Sequence, residues 1–363
     1  MSAEQPDGAP ANGTSIDPQN AEPATVLAFG ELMLRLSPPG FERLFQSPRL
    51  AATFGGSEAN VAISLAHFGH RARFVSRLPA NPIGDAAIAA LRAEGVDVSG
   101  LARGGERLGI YFAETGASQR PSRVVYDRAH SAIAEIGEDA IDWEQALEGV
   151  SWVHTSGITP ALSPAARRAT ATLLERCRER RLPVSFDLNY RAKLWTREEA
   201  QATIPDLLRS VGVLIANEED LQTCLGVEVA SDVTRAELDL DAYAAAARRV
   251  AADHDLTHVA ITLRESLSAS DNGWSALLYE RARDGLHRSQ RYEVRLVDRI
   301  GGGDAFAAGL IHGLLTGRST PDALAFAVAA SALEQTIPGD FNRVSAAEVE
   351  RLVAGDRSGR VQR

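Results

Sequence analysis

Asp298-Arg299-Ile300-Gly301-Gly302-Gly303-Asp304-Ala305-Phe306-Ala307-Ala308-Gly309 follows a strand-like Arg295-Leu296-Val297 and runs into an apolar helix. Three successive glycines allow a tight turn and bring backbone N–H groups close to an anion. The helix that follows adds the positive end of its dipole at the same point. Phosphoryl transfer needs such donors, because negative charge spreads over the equatorial oxygens of the moving group. Asp304, just inside the helix start, would put a carboxylate beside this anion hole, where it can take a proton from an incoming hydroxyl. The same stretch is also compatible with an aspartate capping a helix after a flexible loop, with no ligand. The surrounding chain decides between the two.

Working outward, strands and helices alternate over most of the length, which favours a largely parallel sheet covered by helices. Thr25–Phe29 reads as a buried first strand ended by Gly30. Residues 57–68 carry Ala59, Ala62, Leu65 and Ala66 on one helical stripe, with Gly69 as the stop. Phe74 and Val75 begin another strand, and 86–94 is a helix closed by Gly95. Residues 150–154, 184–187, 213–216 and 258–263 are short apolar runs of strand type. Two stretches break the rhythm. Residues 33–54 hold Pro38, Pro39 and Pro48 among alternating residues, and 109–128 alternate in Gly-Ile-Tyr-Phe-Ala-Glu and Arg-Val-Val-Tyr-Asp-Arg. Both predict hairpin-like strands outside the main sheet. A small sheet there would cover the carboxyl ends of the strands, where α/β sheets bind ligands, and would exclude water.

Three further polar clusters sit at strand-to-helix junctions. Gly55-Gly56-Ser57-Glu58-Ala59-Asn60 opens the first long helix. Its glycines permit close approach of a ligand, and Asn60 can offer amide contacts, although a plain turn would look the same. Asp187-Leu188-Asn189-Tyr190-Arg191-Ala192-Lys193-Leu194-Trp195 follows a buried strand, and Arg191 can grip a carboxylate or phosphate with two donors unless it serves a surface ion pair. Asn217-Glu218-Glu219-Asp220 could hold the water shell of Mg²⁺, or form an acidic first helical turn.

The bulk numbers bound the rest. The chain has 363 residues, 45% hydrophobic and 24% charged, enough for a sizeable core. A net charge of −10 and no Lys/Arg run with aromatics disfavour nucleic acid. Cys177 and Cys224 lie in unrelated segments, which reads as two reduced thiols in a reducing, cytoplasmic compartment. No apolar run is long enough to span a bilayer, so no membrane is expected. The first 23 residues, rich in Pro, Ala, Asn and Asp, read as a disordered tail. The histidines show no metal spacing, and His154 reads as packed in its strand. GxSxG, GxxxxGK[ST] and protein-kinase signatures are absent.

With these clusters in order, the chain from about Val26 resembles the ribokinase-like (PfkB) carbohydrate kinases. The early pair Gly55-Gly56 with Asn60 and the late Asp298 to Asp304 motif match that family's two signatures, roughly 240 residues apart. The resemblance is closest to the 2-keto-3-deoxygluconate kinase branch. It is carried by Gly30-Glu31, Gly109-Ile110-Tyr111, Tyr126-Asp127-Arg128, Ser156-Gly157-Ile158-Thr159-Pro160, Asp187 to Trp195, and Ile337-Pro338-Gly339-Asp340-Phe341-Asn342. It implies a Rossmann-type α/β sandwich with a mostly parallel central sheet and a small β-sheet lid. The kinase domain would take 24–36, 55–105 and 129–363, and the lid 37–54 and 106–128. It implies that Gly56, Asn60, Tyr111, Tyr126, Arg128, Ile158, Arg191 and Asp340 surround a sugar acid, with Asp304 as base. Asn189, Thr262 and the Gly301, Gly302, Gly303 loop would face ATP, with Mg²⁺ held through water near Asn217 and Asp220. A homo-oligomer joined through the lid is expected, because exposed sheet edges tend to be covered.

One departure stands out. Relatives commonly have a glycine-containing turn after the strand ending in Thr-Leu; here Thr262-Leu263-Arg264-Glu265-Ser266-Leu267-Ser268 has no glycine until Gly273. The implied reaction is ATP-dependent phosphorylation of the terminal hydroxyl of 2-keto-3-deoxygluconate. Alternatives are a kinase of fructose, a pentose or another keto acid, and a sugar-binding protein without catalysis. Arg128 and Arg191 favour an acidic substrate, and Asp304 favours catalysis.

Overall fold

The computed structural model describes residues 23–228 and 239–356, so all but the last residue of the expected tail lies outside the described residues. Six parallel strands form the body of a nine-stranded sheet. In spatial order they are Arg71–Val75, Thr25–Phe29, Trp152–Ser156, Val184–Asp187, Val213–Asn217 and His258–Ser266. Asp271–Glu280 then runs antiparallel beside the last of these and itself pairs with Gly285–Arg288 and Tyr292–Arg295. The central strands are apolar on both faces because helices cover both sides, which is why they read as continuous runs without alternation. One face packs Leu65, Phe74, Phe306, Ile311 and Phe326; the other packs Leu173, Phe186, Leu208, Tyr243 and Val250.

Local chemistry sets the helix starts. Asn81 caps Pro82–Ala93 with Pro82 in the first turn, and Thr196 and Ser345 each form a reciprocal capping box, with Glu199 and Glu348. Such caps satisfy backbone donors that the helix itself leaves unpaired.

Ala51–Gly55, Met33–Ser37, Gly109–Glu114 and Arg123–Asp127 form a separate four-stranded sheet in that spatial order. Its inner face carries Met33, Tyr111 and Ala113, packed with Val124, Tyr126 and Ile300. The strand Met33–Ser37 belongs wholly to this sheet, so the boundary expected after residue 36 falls at Met33 instead. Phe74 and Val75 end their strand rather than begin it, since Arg71–Val75 alternates with exposed or half-buried arginines that mask its start. The expected strand at 295–297 lies earlier, at Tyr292–Arg295, and 150–154 shifts to Trp152–Ser156.

Candidate active site

At or just past the carboxyl ends of the parallel strands come Glu31 after Thr25–Phe29, Ile158 after Trp152–Ser156, Asp187 with Asn189, and Asn217 with Asp220, while Thr262 lies within His258–Ser266. These ends and the inner face of the small sheet enclose a cavity of about 680 Å³. Its wall brings together Gly56, Asn60, Tyr111, Tyr126, Arg128, Ile158, Asn189, Arg191, Asn217, Asp220, Thr262, Gly301, Gly302, Gly303, Asp304 and Asp340. Every residue singled out from the sequence therefore faces one space.

The helix Gly302–Leu315 starts at that space, with Gly301 as its cap at φ 106°. A side chain at Gly301 would be strained at this φ and would collide with Glu334 and the Asp340 carbonyl, so the turn demands glycine. Asp304 lies in the first turn. Ser57 Oγ donates to its Oδ1 at 2.7 Å, and Asn60 Nδ2 donates to its Oδ2 at 2.7 Å. Burial pushes the Asp304 carboxyl up to about 6, the two hydrogen bonds pull it down, and the charge of Asp340 raises it further. A carboxyl tuned there is ionised at neutral pH and still basic enough to accept a proton.

The Asn60 Oδ1 also accepts from the Gly56 N–H at 3.3 Å, so this amide orients the Asp304 carboxyl while it lines the cavity. Asn189, at φ 41°, donates from Nδ2 to Ser57 Oγ at 3.0 Å, which extends the chain of donors behind Asp304. Gly56 lets the first helix lie against Glu31; a Cβ there would strike the Glu31 carbonyl oxygen.

Around the sugar-side wall, charges are matched inside the protein. Arg35 donates to Asp340 at 2.6 Å and to Asp298 at 2.5 Å. Burial works against the Arg35 charge, but Asp340 and Asp298 raise its pKa above the ordinary value. Tyr111 donates its hydroxyl to Asp340 at 2.5 Å, so both Asp340 oxygens are occupied. Burial raises the Asp340 pKa, and Arg35 and Tyr111 oppose that shift. Arg128 is ion-paired with Glu31, which also accepts from Ser131 Oγ at 2.9 Å. The Arg128 guanidinium also lines the cavity, 5.1 Å from the Tyr126 ring centroid. Arg191 differs: it donates to the Tyr190 carbonyl at 2.9 Å and makes no ion pair among the described residues.

The opposite wall is acidic. Burial raises the Asp187 pKa well above its ordinary value, with the charges of Asp220 and Asp304 adding to the shift. Burial pushes Asp220 up to about 6, while Arg191 opposes it. Asn217 caps the helix Glu218–Leu225, with its Oδ1 accepting from the Asp220 N–H at 2.8 Å and its Nδ2 donating to Asp220 Oδ2 at 3.0 Å. Among the described residues no group of three or more His, Cys, Asp or Glu is disposed to bind a metal directly. Asp220, whose charge raises the Asp187 pKa, and Asp187 itself nevertheless fit Mg²⁺, which keeps most of its waters and takes phosphate oxygens as ligands.

Three carboxylates or cations of the site escaped sequence reading. Arg35 had a signal: in Met33-Leu34-Arg35 the period of two puts Arg35 on the inner face with Met33. Glu58 lay inside a quoted motif. Its Oε1 accepts from Ser156 Oγ at 2.6 Å and Thr159 Oγ1 at 3.2 Å, and burial pushes it up to about 7. Glu334, buried beside Gly301 with neither oxygen hydrogen-bonded, ends an apolar helix and had no signal.

A family model described as "pfkB family carbohydrate kinase" matches residues 24–341. A 2-dehydro-3-deoxygalactonokinase from Haloferax volcanii is 35% identical over 336 residues, 93% of this chain and 98% of that protein. A 2-dehydro-3-deoxygluconokinase from Thermoproteus tenax is 30% identical, over 92% of this chain and 97% of that one. The crystal structure of 2-dehydro-3-deoxygluconokinase from Thermotoga maritima superposes with a TM-score of 0.88 at 49% identity, covering 92% of this chain and 100% of that one. By the family model over residues 24–341 and by these relatives, the chain, with its glycine turn, the buried carboxylate of the helix that starts there and the small sheet facing both, belongs to the pfkB family of carbohydrate kinases.

Proposed function

We propose that this protein transfers the γ-phosphate of ATP to the terminal hydroxyl of 2-keto-3-deoxygluconate (2-dehydro-3-deoxygluconate), giving the 6-phosphate. The observation that carries this reading is the pairing of Asp304, held on both oxygens at the glycine turn, with Arg191, a cation on the same cavity wall without an ion-pair partner among the described residues. A neutral sugar would leave that guanidinium unmatched; a sugar carboxylate would accept two of its hydrogen bonds. Gly56, Tyr111, Tyr126, Arg128 and Ile158 would frame the sugar, with Asp340 fixing Tyr111 from behind.

In the reaction, the terminal hydroxyl oxygen forms the new bond to phosphorus as the bond to the ADP oxygen breaks. The hydroxyl proton passes to Asp304. Ser57 and Asn60 hold that carboxylate in one orientation, so no reorientation is needed during transfer. Backbone N–H groups at Gly301, Gly302 and Gly303 and the helix dipole would stabilise the phosphoryl oxygens. Asn189 and Thr262 would lie along ATP. Bound Mg²⁺ would neutralise phosphate charge, with Asn217 and Asp220 contacting its water shell.

The small sheet acts in this reading as a lid over the sugar, and its outer side, where Phe45 is 74% exposed beside Phe112, supports self-association. A monomeric mass at micromolar concentration would remove the oligomer from the proposal. Two buried free thiols, Cys177 and Cys224, support a cytoplasmic location. A coupled ADP-release assay over sugar acids of both gluco and galacto configuration and over neutral sugars tests the reaction. Turnover highest with 2-keto-3-deoxygluconate is expected; preference for a neutral sugar would overturn the assignment.

A further inference from the structure

Three segments of the fold meet at one buried carboxyl. Glu58 lies in the first turn of the helix Ser57–His67, between Ser57 and Asn60, and is 1% exposed. Its Oε1 accepts from Ser156 Oγ at 2.6 Å and from Thr159 Oγ1 at 3.2 Å. Ser156 Oγ in turn accepts from the Ile158 N–H at 3.1 Å. On its other side the carboxyl fills the space that a side chain at residue 30 would take, since a Cβ on Gly30 would lie 2.0 Å from Glu58 Oε2. The end of Thr25–Phe29, the start of the helix and the turn after Trp152–Ser156 are thus fastened to a single group.

This group stands behind the cavity, while its neighbours face it. Ser57 and Asn60 donate to the two oxygens of Asp304, and Ile158 lines the wall assigned to the sugar. Removing the acceptor would leave two buried hydroxyls unbonded and would free the Ile158 turn from the helix that carries the donors to Asp304. Glu58 Oε2 is buried without a hydrogen-bond partner, which suits a protonated acid and penalises a carboxylate. Burial accordingly pushes the carboxyl up to about 7; the bond from Ser156 pulls it down, and the charge of Asp304 adds to the rise. The charged groups facing it are Asp304 on the helix Gly302–Leu315 and Asp187 at the end of Val184–Asp187, both acidic. Glu31, next to Gly30, is ion-paired with Arg128, and the helix Ile158–Leu162 carries no charge. No cation among these offsets a negative charge on Glu58.

We infer that Glu58 is a positioning residue for phosphoryl transfer: as an acceptor of hydrogen bonds from Ser156 and Thr159, it couples the helix turn that orients Asp304 to the turn that sets Ile158 against the sugar acid. The inference rests on the kinase reading above and adds a residue that touches neither substrate. It carries a consequence for pH. A neutral Glu58 serves this coupling, whereas an ionised one sets a further negative charge behind Asp304 and an anionic acceptor.

Steady-state kinetics of wild type, Glu58→Ala and Glu58→Gln, with melting curves for each, test this. In Glu58→Ala, kcat/KM for the sugar acid should fall by ~10–100-fold while the KM for ATP changes by less than about twofold. Glu58→Gln keeps an acceptor oxygen and should recover most of that loss below pH 7. In wild type, kcat/KM for the sugar acid should fall roughly tenfold between pH 7 and 8.5, and Glu58→Gln should lack that fall. A residue that only supports the fold would leave the two profiles parallel. Parallel profiles would therefore overturn the inference, as would wild-type kinetics in Glu58→Ala, and either result leaves the kinase reading intact. If Glu58→Ala does not fold, the profile of Glu58→Gln decides. Absence of turnover by the wild-type protein with every sugar and sugar acid would overturn the kinase reading and the inference with it.

Discussion

The two ends of the cavity handle charge in opposite ways. Beneath the small sheet, Arg35 meets Asp340 and Asp298, Arg128 meets Glu31, and Asp304 is held by Ser57 and Asn60. Beside the hairpin of His258–Ser266 and Asp271–Glu280, Arg299 Nε, both polar atoms of Asn272 and Trp274 Nε1 have no such partners among the described residues. The first end is organised before any ligand arrives, which suits a base whose orientation and pKa must be set in advance. The second end keeps polar atoms that the described residues leave unbonded. Arg191, without an ion pair among the described residues, stands between them and near Asp187, Asp220 and Asp304.

The largest expected effect breaks the organised end at its centre. Asp304→Asn keeps the size of the side chain but removes the proton acceptor, and turnover should fall by about 10²–10⁴ while ADP affinity stays near wild type. Turnover close to wild type would take Asp304 out of the mechanism. Next comes the unpaired cation. Arg191→Ala should raise the KM for the keto acid by ~30-fold or more, and that for ATP far less, since loss of one partner of a desolvated charge contact costs roughly 2–5 kcal/mol. Equal rises in both constants would place Arg191 on the phosphates.

A smaller effect is read from pH. Asp304 must be ionised to act, and its pKa stands at about 6, so kcat/KM should fall about tenfold per pH unit below that value. Asn60→Leu deletes the donor to Oδ2, which favours the protonated acid and should move this acid limb to higher pH. An unmoved limb would mean that Asn60 does not tune the base.

The smallest effect concerns Glu58. Burial holds its carboxyl at about 7 against an ordinary value of 4.5, so the folded protein keeps a proton that the unfolded chain releases. That stabilisation is present below about pH 4.5 and is lost as pH rises through 7. Glu58→Gln, neutral throughout, should lessen the fall in stability between pH 5 and 8 by roughly 1–3 kcal/mol. Thermal melts with the same pH slope in both proteins would show that Glu58 titrates elsewhere.

How the chain divides between legible and hidden follows from the range of each interaction. Sequence alone determined the parallel α/β body, because strands buried on both faces are unbroken apolar runs and glycines and caps mark where they end. It also pointed to Asp187 to Arg191 and Asn217 to Asp220 as parts of one site, since each lies at the carboxyl end of a strand of the parallel sheet, whereas Gly56 follows a strand of the small sheet and Gly301 to Asp304 follow the edge strand Tyr292–Arg295. Met33–Ser37 was read as lying outside the main sheet although the unit boundary was drawn within it, and the second strand of the long hairpin went unread. Sheet membership depends on a partner strand far along the chain, which local pattern does not name. Only the tertiary structure decided which charges are matched. Arg35 meets Asp340 across 305 residues and Asn60 meets Asp304 across 244, so no spacing in the sequence could say that Asn60 also holds the Asp304 carboxyl. Charge compensation acts over a few ångströms of space, and the fold alone sets which side chains come that close.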